Sequence, residues 1–169
     1  MRWQPDSPVC AECGFDWECT PQEALAVVAQ GPAAAAAALA GVRDPVRRAG
    51  PRWSASMYVW HLVDVLRIGS ERLLTVAHDP GNGIPCWDEN ALAEVRRYQQ
   101  LSPRVGLLAL AAAQREWSQA AQAAPATAAV SHPEFGTLAA VDVIRRNAHE
   151  VRHHLMDIRR ADQDPLPRS

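Results

Sequence analysis

The 169-residue sequence contains no lysine; all 17 of its basic residues are arginine. Strand formers are also scarce, with two Phe, two Tyr and no alternating Val/Ile runs, which argues against a β-rich domain. There is no uninterrupted apolar stretch of about 18 residues and no basic-then-apolar leader, so the expectation is a cytoplasmic protein without a membrane partner. A net charge of −2 excludes a global basic field that would draw the chain to nucleic acid. Cysteine is limited to four residues, and structural disulfides are not expected of it in a reducing cytosol.

The apolar share is 48%, much of it Ala and Leu, and the length suits one domain that buries its own core. Helix signals recur along the chain. Thr20-Pro21-Gln22-Glu23 places a capping Thr, a Pro at the first helical position and a Glu three residues after the cap. The helix it opens runs to about Leu39 through the run Ala33–Ala38, and Gly31-Pro32 is a place for a kink or split. A second helix extends from about Ser54 to Ala77, with Met57, Trp60, His61, Val65, Ile68 and Leu73 on its apolar face. After the loop Asp79–Pro85 comes a short helical stretch, Ala91–Gln100. Ser102-Pro103 then opens a helix to about Ala123. Residues 124–136 read as a second Pro-containing loop, and Thr137 as the cap of a final helix to Arg160.

These elements give an all-α four-helix bundle over residues 20–160. An irregular Cys-containing arm precedes it at 1–19, and a fraying tail with Pro165 and Pro167 follows at 161–169. Trp3, Phe15 and Trp17 are the anchors expected to pin the arm. The alanine-rich surface of the first long helix permits a homodimer.

The final helix carries Asn147-Ala148-His149-Glu150-Val151-Arg152-His153-His154. His149 and His153 are four apart, so their side chains stack one above the other with Cβ atoms about 5–6 Å apart. Two such imidazoles can close on one ion, and His61 supplies a third from another helix. Three protein ligands with one open position is a catalytic arrangement; the competing reading is a metal-free bundle with ordinary histidines. Cys10-Ala11-Glu12-Cys13 can be half of a structural zinc site, completed by Cys19, Cys86 or a histidine, or a redox pair, though no βαβ pattern surrounds it; the alternative is free buried or surface thiols.

Trp60-His61-Leu62-Val63-Asp64, the Trp87-Asp88 loop and His149–Ile158, in that order and separation, resemble the DinB family of bacterial four-helix metalloproteins. The resemblance covers roughly Thr20 to Arg160 and leaves out the cysteine arm. It implies a divalent ion, zinc or nickel, on His61, His149 and His153. It also implies kinship with mycothiol-dependent maleylpyruvate isomerase, other S-transferases using mycothiol or bacillithiol, and a domain of the ergothioneine sulfoxide synthases. The expected function is a metal-dependent enzyme acting on a small molecule, such as a low-molecular-weight-thiol S-transferase. The alternatives are a metal-dependent hydrolase or a non-catalytic, stress-associated ligand-binding protein. Asp88 and Glu89 are the first candidates for base or orienter, with Asp64 and Asp157 behind them. Arg152, with Arg145 and Arg146, is the candidate to receive the carboxylates of a thiol cofactor.

Overall fold

The structure is a computed structural model and describes residues 5–48 and 52–161. Trp3, the Gly50-Pro51 breaker and the tail beyond residue 161 lie outside the described residues. Four long helices carry the fold: α1 (Pro21–Ala40), α2 (Ala55–His78), α4 (Pro103–Ala123) and α5 (Ala140–Arg160). A short helix, α3 (Glu89–Val95), and a 3₁₀ turn (Tyr98–Gln100) link α2 to α4.

The helix starts obey the local chemistry of the sequence. The Thr20 hydroxyl accepts from the Glu23 amide at 3.2 Å while the Glu23 carboxylate accepts from the Thr20 amide at 2.7 Å. Ser54 and Ser102 cap α2 and α4 through the hydroxyl alone, accepting from the amides of Met57 and Val105, and Pro103 opens α4. The Gly31-Pro32 pair does not divide α1, which runs as one 20-residue helix. Gly31 instead sits against α5, where an added Cβ would lie 3.0 Å from Val151 Cγ1. Packing at that close approach holds the helix through the proline. By length and hydropathy α1 could cross a membrane; here its buried residues, Ala24, Val28, Gly31, Ala35 and Ala38, share the bundle core.

In space α2 packs on α4 and α5, and α1 packs on α5 and α4. Consecutive helices α1 and α2 therefore lie nearly diagonal, and the chain crosses the bundle between them. The core is built from Leu62, Leu66 and Leu73 of α2, Leu110 and Trp117 of α4 and Ile158 of α5, with Tyr98 sealing one end. At its centre Trp117 Nε1 donates to Asn147 Oδ1 at 2.8 Å. Gly69 makes room for that bond, since a Cβ there would fall 2.3 Å from Asn147 Oδ1.

Two expectations need correction. Residues 124–136 do not form only a loop: β1 (Ala129–His132) pairs antiparallel with β2 (Gly136–Ala139), in the register Val130 opposite Leu138. His132 Nδ1 closes the turn by accepting from the amides of Glu134 and Phe135. As a result α5 starts at Ala140, and Thr137 is a strand residue rather than a cap. The Asp142 carboxylate accepts from the Ala139 amide at 2.9 Å and does the capping.

The hairpin also fixes the Asp79–Pro85 loop. Gly81 and Ile84 donate backbone hydrogen bonds to Ala129 and Ser131 of β1. That anchorage sets Cys86, Trp87 and Glu89 beside α2 and α5.

Candidate metal centre

His61 sits on the second turn of α2 and is fully buried. Among the described residues its two ring nitrogens have no hydrogen-bond partner. Rings wall it in: Trp87 stacks on it at 5.5 Å between centroids, and Trp53 lies 5.0 Å away. From α5, two residues four apart reach it. Glu150 Oε2 lies 3.8 Å from His61 Nε2 and 3.2 Å from His154 Nε2. The three residues bring donor atoms within 4.8 Å of one another. Around a tetrahedral ion with bonds of about 2.0–2.1 Å, ligand atoms stand about 3.3 Å apart, so these separations fit.

His61 and Glu150 pass a stricter test as well. A buried imidazole with no partner is costly unless something else takes up its lone pair. Burial holds His61 below its ordinary range, which keeps the ring neutral and able to ligate. Burial alone would raise the Glu150 carboxyl, but His149, His154 and His61 outweigh it and hold Glu150 well below the usual carboxylate range. His154 is oriented from behind, with Nδ1 2.9 Å from Asp157 Oδ2 and the ring stacked on Tyr58. Burial would lower His154, yet Asp157 and Glu150 push it up to about 9. A carboxylate behind a ligating histidine fixes its tautomer and direction.

His149 and His153 do not join His61. They stand on another face of α5 and meet the N-terminal arm. Consecutive helical residues are about 100° apart, so the pair 149/153 and the pair 150/154 address different neighbours. Cys10, Cys13, His149 and His153 form a second group whose donor atoms also lie within 4.8 Å of one another. The Cys10 thiol is the stronger acid of the two. Burial raises it, but the amides of Cys13 and Glu12 and the rings of His149 and His153 bring it down to about 6. Burial and the neighbouring Cys10 push Cys13 up to about 11.

Other expected residues separate similarly. Cys19 and Cys86 belong to neither group: Cys19 offers its carbonyl to Arg145 at 2.6 Å, and Cys86 is exposed beside His132 and Glu134. Asp88 is the cap of α3, accepting from the amides of Asn90 and Ala91. Arg152 donates to the Cys13 carbonyl at 3.0 Å, which places it on the arm. Asp64 is buried and bound by Arg96 and the Tyr98 hydroxyl. Glu89 does line the cleft that opens beside the centre.

That cleft has a volume of about 190 Å³ and includes Glu150 in its wall. Arg72, Trp87, His132, Phe135 and Arg146 complete its rim. Arg146 lies over the Phe135 ring at 3.6 Å, and Arg72 Nη2 donates to the Pro85 carbonyl while its buried Nε has no partner among the described residues. None of the hairpin residues is marked by the sequence motifs. Glu150-x-x-x-His154 is, because it repeats the ligand spacing of His149-x-x-x-His153 one residue on.

Comparison with known proteins bears on the fold and the family. Among curated proteins no sequence matches this one. A solved structure that resembles it is YfiT from Bacillus subtilis, described as "a probable metal-dependent hydrolase with an unusual four-helix bundle topology". The two share 16% identity with a TM-score of 0.69, over 94% of this chain and 93% of that one. The sequence profile of the DinB superfamily matches residues 2–158, so the chain belongs to the DinB superfamily.

Proposed function

We propose that this protein is a metal-dependent enzyme whose divalent ion, zinc or nickel, is held by His61, Glu150 and His154 and which acts on a small anionic molecule. The observation that carries this reading is the buried, unpartnered ring of His61 facing a carboxylate and a second imidazole. A three-residue donor set leaves a coordination place for water or substrate, whereas a structural site is usually closed by four. When bound, such an ion acts as a Lewis acid and acidifies whatever occupies the open place.

The remaining work falls to the chain. Asp157 holds His154 in its ligating direction. Trp87 and Trp53 exclude bulk water from His61. To Glu89, which lines the cleft with Trp87, we assign the taking and returning of a proton at its carboxylate. Arg72 and Arg146 give the cleft two cations for a carboxylate or phosphate of the substrate. The small cleft suits hydrolysis of a compact ester or amide, and YfiT's description is in keeping with that class. Transfer to a low-molecular-weight thiol is the second reading, favoured by the same pair of arginines, which can take up a thiol's carboxylates.

The test is turnover by metal-loaded protein of a panel of small anionic esters and amides, run beside a thiol-plus-electrophile panel. Hydrolysis that disappears in His61→Ala supports the first reading. Conjugate formation that disappears in the same variant supports the second. Metal-independent turnover, or no change in His61→Ala, sinks both.

A further inference from the structure

Residues 8–17 form a tight ribbon of their own. Val9 bridges Asp16 in antiparallel fashion, Cys10 N donates to Phe15 O at 2.8 Å, and Gly14 N donates to Cys10 O at 2.9 Å. Gly14 turns the chain at φ 67°, in the left-handed region that glycine enters without strain. The turn brings Cys10 and Cys13 to one side. Opposite them, His149 and His153 occupy successive turns of α5.

We infer that Cys10, Cys13, His149 and His153 form a closed four-ligand zinc site that staples the arm to α5, separate from the His61–Glu150–His154 centre.

Two thiolates and two imidazoles are the ligand chemistry of structural zinc. Cys10 Sγ stands 4.0 Å from His153 Nδ1, where bonds of about 2.3 and 2.0 Å to a tetrahedral ion would place them about 3.5 Å apart. Carboxylates stand beside the second nitrogens. His153 Nε2 lies 3.7 Å from Asp157 and from Glu12, and His149 Nδ1 lies 3.6 Å from Glu150. Trp17 stacks on His149 at 4.5 Å, and Phe15 meets its edge at 5.7 Å, so the ring is held and screened. Arg152 and Arg145 donate to the carbonyls of Cys13 and Cys19, clamping the arm's backbone along the helix. A staple at this point gives the arm a reason to be ordered although it buries little besides Phe15.

The experiment is titration of Co²⁺ into the metal-free full-length chain with its thiols reduced. A site with two thiolates gives intense thiolate-to-cobalt charge transfer in the near ultraviolet, and a His₂-carboxylate centre gives none. The expected result is such a band, bleached by Zn²⁺, saturating by two equivalents in the unmodified chain and at one equivalent in His61→Ala/His154→Ala. It should vanish in Cys10→Ser/Cys13→Ser and persist in His61→Ala/His154→Ala. Absence of the band from the unmodified chain overturns the inference even if the cysteine variant fails to fold. A band that survives the cysteine substitutions, or Cys10 and Cys13 recovered as a disulfide that cannot be opened for metal, overturns it as well.

Discussion

His149 and Glu150 are neighbours in sequence, and their Nδ1 and Oε1 atoms lie 3.6 Å apart, yet they serve different donor groups. Glu150 turns its other oxygen to His61 and His154, while His149 turns toward the cysteine arm. Two successive turns of α5 thus carry two clusters side by side, with a carboxylate between them. Loss of positive charge on either side alters what that carboxylate balances, so the two clusters are electrostatically linked.

Asp157 supports His154 from outside the donor set. Asp157→Asn should weaken metal affinity at the His61 centre by about 10–100-fold with helix content unchanged. Competition with a chelating dye, together with far-ultraviolet circular dichroism, measures both. Unchanged affinity would show that the contact does not orient the ring.

Arg72 and Arg146 line the cleft. If they hold the substrate's anionic group, Arg72→Met should lower kcat/KM for anionic substrates by about 10–150-fold, corresponding to roughly 1.5–3 kcal/mol for a hydrogen bond to a charged group. Neutral analogues should be affected far less. Steady-state kinetics on a matched anionic and neutral pair checks the difference.

Gly69 leaves no room for a methyl group beneath the Trp117–Asn147 hydrogen bond. Gly69→Ala should therefore cost about 1–3 kcal/mol of stability through displacement of Asn147. Urea unfolding should show a lower midpoint with an unchanged slope.

The chain has two tyrosines, and burial pushes both phenols up, Tyr98 to about 12. A phenol whose pKa is higher in the folded state keeps its proton where the unfolded chain, at about 10, has lost it. The native state then binds more protons, and stability falls as pH rises from about 10 to 12. Tyrosinate absorbance followed during an alkaline titration should rise together with loss of helix, not before it. Ionisation of both tyrosines at ordinary values in a fully helical protein would contradict this.

The sequence displayed the bundle well, because caps such as Thr20 and Ser102 and the 3.6-residue stripe on α5 are local features. The short hairpin at Ala129–Ala139 was not legible, since four-residue strands are set by pairing with each other and with the Asp79–Pro85 loop. For the metal centre, composition and order picked out His61 and the histidine-rich turn. What spacing does not give is the rotation of α5 about its axis. A shift of one residue turns the face by about 100°. That rotation decides whether His61 meets His153 or His154, and it is set by tertiary contacts such as Val151 against Gly31.

Cys10 and His153 are 143 residues apart in sequence. At synthesis rates of about 5–20 residues per second, the two thiols leave the ribosome roughly 7–30 s before the imidazoles that face them in the finished molecule. During that interval Cys10 and Cys13 are bare neighbours in a nascent chain, open to oxidation to each other. Cells short of reductant should accordingly accumulate newly made protein with its arm locked in the wrong covalent state, whereas molecules already assembled should be spared.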